Sequence, residues 1–219
     1  GTALAPSTVI ANNPSGTLWR GNAGHVQVNV SGQWFALGSV DWELHPMGFL
    51  FGDALTLKSS WGRQQLDLSA GVAFNGDVTV SDASVRADIS WVKNLLSLFV
   101  AGDLTADIET LRVNAAGVPE EIMGRVVWEN AAWQAMGGDV SLGTYAIDIT
   151  TTAQGISGKV VTLKGALDLT GEFRLEGDRY SVTADLSGTA ARNEAFQQAI
   201  ALMAVPTESG YRIDLSGTL

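Results

Sequence analysis

The feature that most constrains this chain is a strict alternation of apolar and polar residues over short stretches. Val26, Val28 and Val30 are separated by the polar residues Gln27 and Asn29. A period of two places the apolar side chains on one face of a β-strand and the polar ones on the other. The same period recurs at Leu66/Leu68, Val78/Val80, Tyr145/Ile147/Ile149, Leu167/Leu169, Tyr180/Val182 and Tyr211/Ile213/Leu215. Because parallel strands are covered on both faces, this alternation predicts antiparallel strands with one dry and one wet face.

Turn residues and two helical segments complete the predicted fold. Asn75-Gly76 and Gly177-Asp178 lie between alternating stretches and indicate hairpins. Helical spacing occurs in the segment Trp91–Phe99 and again in Phe196–Met203, the second with Asn193 as a candidate cap. We therefore predict a mainly β fold. It is a large curved antiparallel sheet, half-barrel or groove-like, from two similar halves that each carry one short helix packed on the sheet.

Several short motifs occur twice in the same order and indicate an internal duplication. Gly16-Thr-Leu-Trp19 corresponds to Gly124-Arg-Val-Val-Trp128, and Gly76-Asp77 corresponds to Gly177-Asp178. No linker rich in Pro or Ser separates the halves. The sequence therefore predicts a single continuous β-domain over residues 1–219, built from two tandem repeats at approximately 14–113 and 122–219.

Composition and motifs argue against several classes of function. The 13 Lys and Arg residues against 23 Asp and Glu give a net charge of −10, which disfavours nucleic acid as a partner. The chain has no Cys, and His25 and His45 form no metal-binding pattern. No motif for a nucleophile with its base, a phosphate cradle or a calcium loop is present. We predict a non-enzymatic protein without cofactor or metal, and a hydrolase is the least favoured alternative.

The seven tryptophans are the other unusual feature of the composition. Large aromatic side chains are frequent in cores and also in binding surfaces, and core anchoring is the favoured interpretation for most of them. The apolar run from Met47 follows a proline and lacks alternation, which is typical of an interface. The candidate interaction surface predicted from the sequence consists of Trp34, Phe35, Phe49, Leu50 and Phe51.

The motifs also resemble a known family. Gly16-Thr-Leu-Trp-Arg-Gly21, followed by a strand and Val40-Asp-Trp-Glu-Leu-His-Pro46, resembles the opening of type II secretion system protein N. Later landmarks of that family are similar to Gly124–Trp128, Leu142–Ala146, and Phe196–Met203 leading to Gly210–Gly217. The likeness spans nearly the whole chain, and a more distant one connects it to AsmA-type envelope proteins.

The resemblance implies a non-enzymatic accessory or structural component of the type II secretion system that acts through protein–protein contacts. It implies a location at the periplasmic face of the bacterial inner membrane, with an N-terminal anchor helix that we expect outside these 219 residues. Its partners would be other secretion-system proteins of the inner membrane and periplasm. The alternative is an envelope protein that binds or transfers a hydrophobic ligand or lipid, because an incompletely covered apolar sheet face leaves a groove.

Overall fold

The fold is described from a computed structural model of the chain. The described residues are 9–30, 33–48, 52–89, 100–115, 117–135, 138–201 and 203–218. They divide into two compact units. Unit 1 comprises Gly1–Ala87 and Ala106–Ile122, and unit 2 comprises Asp88–Thr105 and Met123–Leu219.

The first strands along the chain belong to unit 1. They are β1 (Val9–Gly16), β2 (Arg20–Val30), β3 (Gln33–Leu44), β4 (Leu55–Trp61), β5 (Gln64–Val72) and β6 (Val78–Asp88), whose last residue is assigned to unit 2. Two long strands, β7 (Val100–Val113) and β8 (Pro119–Ala135), contribute residues to both units.

The rest of the chain belongs to unit 2. Its strands are β9 (Gly138–Thr152), β10 (Gly155–Gly165), β11 (Leu167–Glu176), β12 (Arg179–Gly188), β13 (Ala204–Pro206) and β14 (Gly210–Thr218). A 3-10 turn at Ala190–Arg192 and helix α1 (Glu194–Ile200) lie between β12 and β13.

Strand order in the described part of the chain follows the sequence with one exception. The order runs from β1 to β12 and then β14 and β13, so β14 lies between β12 and β13. Neighbouring strands pair antiparallel, as in β9 with β10 and β11 with β12. This confirms the mainly β, antiparallel fold class predicted from the alternation. The tandem repeat at 14–113 and 122–219 stays a prediction.

One buried cluster in unit 1 is small and lies mainly between β2 and β3. Its buried members are Ala23, Val26 and Val40. The indole of Trp42 lies against this cluster and over Gly21, where any Cβ would collide with the ring. Its Nε1 donates a hydrogen bond to the carbonyl of Leu18 over 3.2 Å. Trp42 is therefore a core anchor, and Gly21 is required because the ring passes so close to the backbone.

Unit 2 has a larger cluster, because helix α1 packs on the sheet. Its buried members are Ala131, Leu142, Tyr145, Leu167, Leu186, Ala190, Ala191, Phe196 and Ile200. Phe196 and Ile200 lie four residues apart, on the helix face that meets the sheet. The rings of Phe196 and Trp133 pack edge to face, with their centroids 6.4 Å apart. The Oδ1 of Asn193 accepts a hydrogen bond from the Phe196 N–H over 3.2 Å, as a helix cap does. The predicted second helix and its cap are confirmed, while the predicted helix at Trp91–Phe99 lies outside the described residues.

Candidate interaction surface

Two members of the predicted surface lie on β3. Trp34 pairs with Asn29 across the β2–β3 ladder and is 48% exposed. Phe35 pairs with Val28 and is half-buried. Neighbouring residues of a strand point to opposite faces, so Trp34 is the member available to a partner on its face. Phe49, Leu50 and Phe51 lie outside the described residues, and the surface as a whole stays a prediction.

The six tryptophans among the described residues divide into anchors and half-exposed side chains. Trp128 and Trp133 join Trp42 as anchors, and the Trp128 Nε1 donates to the carbonyl of Ala101 over 3.2 Å. Three others keep about half of their surface exposed: Trp19 at 51%, Trp34 at 48% and Trp61 at 45%. The prediction that most tryptophans anchor the core therefore describes Trp42, Trp128 and Trp133 but not the three half-exposed tryptophans.

The most exposed large apolar side chain among the described residues is one that the sequence did not single out. Phe74 is 95% exposed in the loop between β5 and β6. The Asn75-Gly76 hairpin is present, but the Ala73 N–H donates to the Asp77 carbonyl over 2.8 Å and closes a longer loop. The Asn75 Oδ1 also accepts a hydrogen bond from the Asp77 N–H over 3.1 Å. Phe74 therefore lies in the loop that contains this Asx turn and not in the strand. In the sequence, an Asn two residues before an Asp is the pattern that indicates such a turn.

Two carboxylates of the wet faces are held by arginines rather than free for proton transfer. Both oxygens of Glu43 accept hydrogen bonds from the Arg20 Nη2 at 2.8 and 2.7 Å. The hydrogen bond from Arg20 lowers the pKa of Glu43. Arg125 likewise lowers the pKa of Asp148. Such groups stay ionised at neutral pH, which suits a structural ion pair better than a general acid.

In unit 2 the charges are arranged in a row across neighbouring strands. Arg125 pairs with Asp148, Asp148 with Lys159, and Lys159 with Glu172 in the cross-strand register. Directly opposite side chains in an antiparallel ladder lie close enough to interact, and the signs alternate along this row. Arg174 adds hydrogen bonds to both oxygens of Glu172 at 2.9 and 3.0 Å. Asp148 and Glu172 in this row therefore each lie beside cationic side chains of the same unit.

A histidine and a tyrosine among the described residues are also engaged in structural contacts. His25 packs edge to face on Trp61 with ring centroids 4.9 Å apart. The hydroxyl of buried Tyr145 donates to the carbonyl of Leu167 over 2.9 Å. Burial, with a smaller contribution from the charge of Asp168, raises the pKa of Tyr145 to about 12. Among the described residues, no group of three or more acidic or histidine side chains is placed to hold a metal ion.

Two surface depressions, one in each unit, are lined by several charged side chains, whereas a third in unit 1, of about 370 Å³, is lined mainly by glycines and apolar side chains that include Val72 and Phe74. One in unit 1 has a volume of about 440 Å³ and is lined in part by Arg20, Asp41 and Lys58. One in unit 2 has a volume of about 390 Å³ and is lined in part by Arg174 and Arg212 with nearby carboxylates. Hydrophobic ligands occupy pockets with mainly apolar linings, so neither of the two charged depressions has the chemistry that an acyl chain requires.

Comparisons with known proteins give one result. A family model described as "Type II secretion system (T2SS), protein N" matches residues 8–214. This confirms the family resemblance inferred from the motifs. Neither the curated proteins nor the solved structures give a significant match. Within the described residues, no helix has the length and apolar character needed to cross a membrane.

Proposed function

We propose that this chain, which belongs to the type II secretion system protein N family, is a non-enzymatic accessory and structural component of that system. The family match over residues 8–214 carries the proposal. In this proposal the body of the protein lies at the periplasmic face of the inner membrane, held by an N-terminal anchor helix. Its partners are other secretion-system proteins of the inner membrane and periplasm.

The structure supports a role in protein contacts through its exposed aromatic side chains. Trp34 lies on a strand and is 48% exposed, and Phe74 lies in a hairpin loop and is 95% exposed. Tryptophan and tyrosine are the side chains most enriched among residues that dominate binding energy at protein interfaces. The arginine-bound carboxylates Glu43 and Asp148 favour a scaffold over a catalyst, because their lowered pKa values oppose proton transfer near neutral pH.

Site-specific crosslinking in secreting cells tests this proposal. A photoreactive benzoylphenylalanine replaces Trp34 or Phe74, and Trp42, which packs against the core of unit 1, serves as the matched control position. We expect crosslinks to secretion-system proteins from the exposed positions and much weaker ones from the control. If neither exposed position crosslinks to such a protein while the chain is present at its normal level, the proposal is contradicted.

The alternative function, carriage of a hydrophobic ligand or lipid, requires an open apolar face. In unit 2 part of that face is occupied, because Phe196 and Ile200 of α1 are only 4% and 5% exposed and pack on the sheet. Trp91, which the sequence predicts to cover the sheet in the same way, lies outside the described residues. Mass spectrometry of the purified native protein separates the alternatives, since a stoichiometric bound lipid would favour the carrier.

A further inference from the structure

Strand β14 is only partly covered along its outer edge. β12 pairs with β14 over the whole of Gly210–Thr218. On the other side, β13 pairs only with Tyr211–Ile213. Within the described part of the chain, no strand lies beside the outer edge of the segment 214–218. We call this segment the open edge.

One hydrogen bond fixes which backbone groups of the open edge point outward. The Thr207 N–H donates to the Gly210 carbonyl over 2.8 Å, so these two residues are a hydrogen-bonded pair. Hydrogen-bonded and non-bonded pairs alternate along an antiparallel ladder. Following the β13–β14 register, Asp214, Ser216 and Thr218 therefore turn their N–H and C=O groups away from β12. These groups are available to another backbone.

The side chains beside the open edge provide one apolar face and one polar face. Leu215 lies on the same face as Ile213, which packs against the core, and it is 42% exposed. The ring of Tyr180 lies over Gly217, where a Cβ would come within 2.8 Å of its carbon atoms. The ring thus crosses β14 toward the edge on the face that carries Leu215. On the opposite face the edge carries Asp214 and a serine hydroxyl.

The edge strand of unit 1 is protected, in contrast to the open edge. The Thr17 N–H bonds to the Arg20 carbonyl at 2.8 Å, so the β1–β2 register turns Asn12 and Pro14 outward. Pro14 has no N–H to offer, and Asn13 has a φ of 51°, which interrupts the extended backbone. Proline on an edge strand is a common device against unwanted strand pairing. The segment 214–218 has neither a proline nor a residue with positive φ.

We propose that the open edge accepts one extended strand of a partner protein. This inference rests on the proposed function, since it names how a secretion-system partner is held. Backbone hydrogen bonds to Asp214, Ser216 and Thr218 would supply affinity, as in other cases of strand addition. Specificity would come from apolar partner side chains against Leu215 and Tyr180, alternating with polar ones on the other face.

A partner protein fits the open edge better than a second copy of this chain. Pairing with β1 of another copy meets Pro14 and the interrupted backbone at Asn13. Pairing of two open edges about a two-fold axis would bring together two chains that each carry a net charge of −10, and such like charges oppose self-association. The incoming strand is therefore assigned to a different protein, with an alternating apolar and polar sequence.

Three substitutions, two at the open edge and one control, test whether the open edge itself binds the partner. Ser216→Pro removes an outward N–H and places a ring in the path of the incoming strand, yet breaks no bond to β12. Leu215→Lys keeps every backbone donor but places a charge on the apolar face. Asn12→Pro makes the equivalent change at an outward position of β1 and is the matched control. Thermal unfolding of each purified variant verifies folding, and Leu215→Lys carries the test if Ser216→Pro unfolds.

The experiment uses benzoylphenylalanine at Thr218 in secreting cells, with mass spectrometry to map the crosslinked segment. We expect a single segment of a secretion-system protein with alternating character. Its crosslink should fall at least tenfold with Ser216→Pro and Leu215→Lys and remain unchanged with Asn12→Pro. A synthetic peptide of that segment, added to the purified chain, should slow amide hydrogen exchange at Asp214, Ser216 and Thr218.

Other outcomes overturn the inference. A crosslink from Thr218 that is insensitive to both edge variants, or that joins two copies of this chain, contradicts strand addition by a partner. Crosslinks from Trp34 but none from Thr218 also overturn it and leave the proposed function standing. If no position crosslinks to a secretion-system protein, the proposed function itself fails.

Discussion

Each unit contains antiparallel strands with ion pairs on the wet face, but the described parts of the two apolar faces are filled differently. In unit 2, helix α1 brings Phe196 and Ile200 onto the sheet and completes a large cluster. In unit 1, the buried cluster consists of small side chains such as Ala23 and Val40, with Trp42 lying against them. The comparison teaches that, among the described residues, a helix supplies part of the buried cluster in unit 2, whereas strand residues and the Trp42 ring over Gly21 form the cluster in unit 1.

The largest expected effect comes from truncating the helix anchor. Phe196→Ala should lower the free energy of unfolding by about 3–5 kcal/mol, because it leaves a cavity under α1. Val40→Ala in unit 1 removes less buried surface and should cost about 2 kcal/mol. Urea denaturation followed by tryptophan fluorescence measures both. A smaller loss for Phe196→Ala than for Val40→Ala would show that α1 is not the main support of unit 2.

Removing one buried hydroxyl should produce the next largest effect. Tyr145→Phe leaves the Leu167 carbonyl without that donor, which should cost about 1–3 kcal/mol. The substitution should also change how the free energy of unfolding depends on pH. An unfolded tyrosine ionises near pH 10.0, but folded Tyr145 keeps its proton to about pH 12, so stability is fully present below pH 10 and falls between these values. Urea midpoints across this range should fall less steeply in Tyr145→Phe, and an identical slope would contradict the assignment.

Loss of the N-cap hydrogen bond should destabilise the protein less than loss of the Tyr145 hydroxyl. Asn193→Ala removes the acceptor for the Phe196 N–H and should lower stability by about 1 kcal/mol. The effect should concentrate in unit 2, where faster hydrogen exchange at the start of the helix is expected. Asn193→Asp restores an acceptor and is the control. Equal losses for both substitutions would indicate that the cap bond does not stabilise the helix.

The smallest effects should come from the exposed ion pairs, and they should be similar in the two units. Arg20→Gln in unit 1 and Arg125→Gln in unit 2 each remove one arginine–carboxylate pair. The pKa values of Glu43 and Asp148 are lowered in the fold. The stabilisation is therefore present above their ordinary pKa values and lost as pH falls through the lower folded values. Added salt should reduce the difference from wild type, and a large salt-insensitive loss would contradict the exposed character of the pairs.

The sequence predicts the strands well, because alternation is a local property. The stretches around Val26, Leu66, Tyr145 and Tyr211 all lie in strands, and Asn193 starts the predicted helix. The order of the strands in the sheet is harder to predict from the sequence. β13 (Ala204–Pro206) is too short to show a period, so nothing local reveals that β14 inserts between β12 and β13.

The interaction surfaces are harder to predict than the strands for the same reason. Trp34 and Trp42 are both tryptophans of β3, yet Trp34 is half-exposed and Trp42 packs over Gly21. That difference depends on which face of the strand each residue occupies and on the partner across the ladder. The open edge depends on how far β13 extends along β14, which is set by pairing and not by composition.

Exoprotein secretion by cells carrying edge variants tests the central claim most directly. The Ser216→Pro variant should lower secretion at least tenfold at a normal level of the protein, whereas the Asn12→Pro variant should secrete like wild type. This result would show that the edge of unit 2, and not that of unit 1, holds the partner. Wild-type secretion by a folded, normally abundant Ser216→Pro variant would contradict the claim.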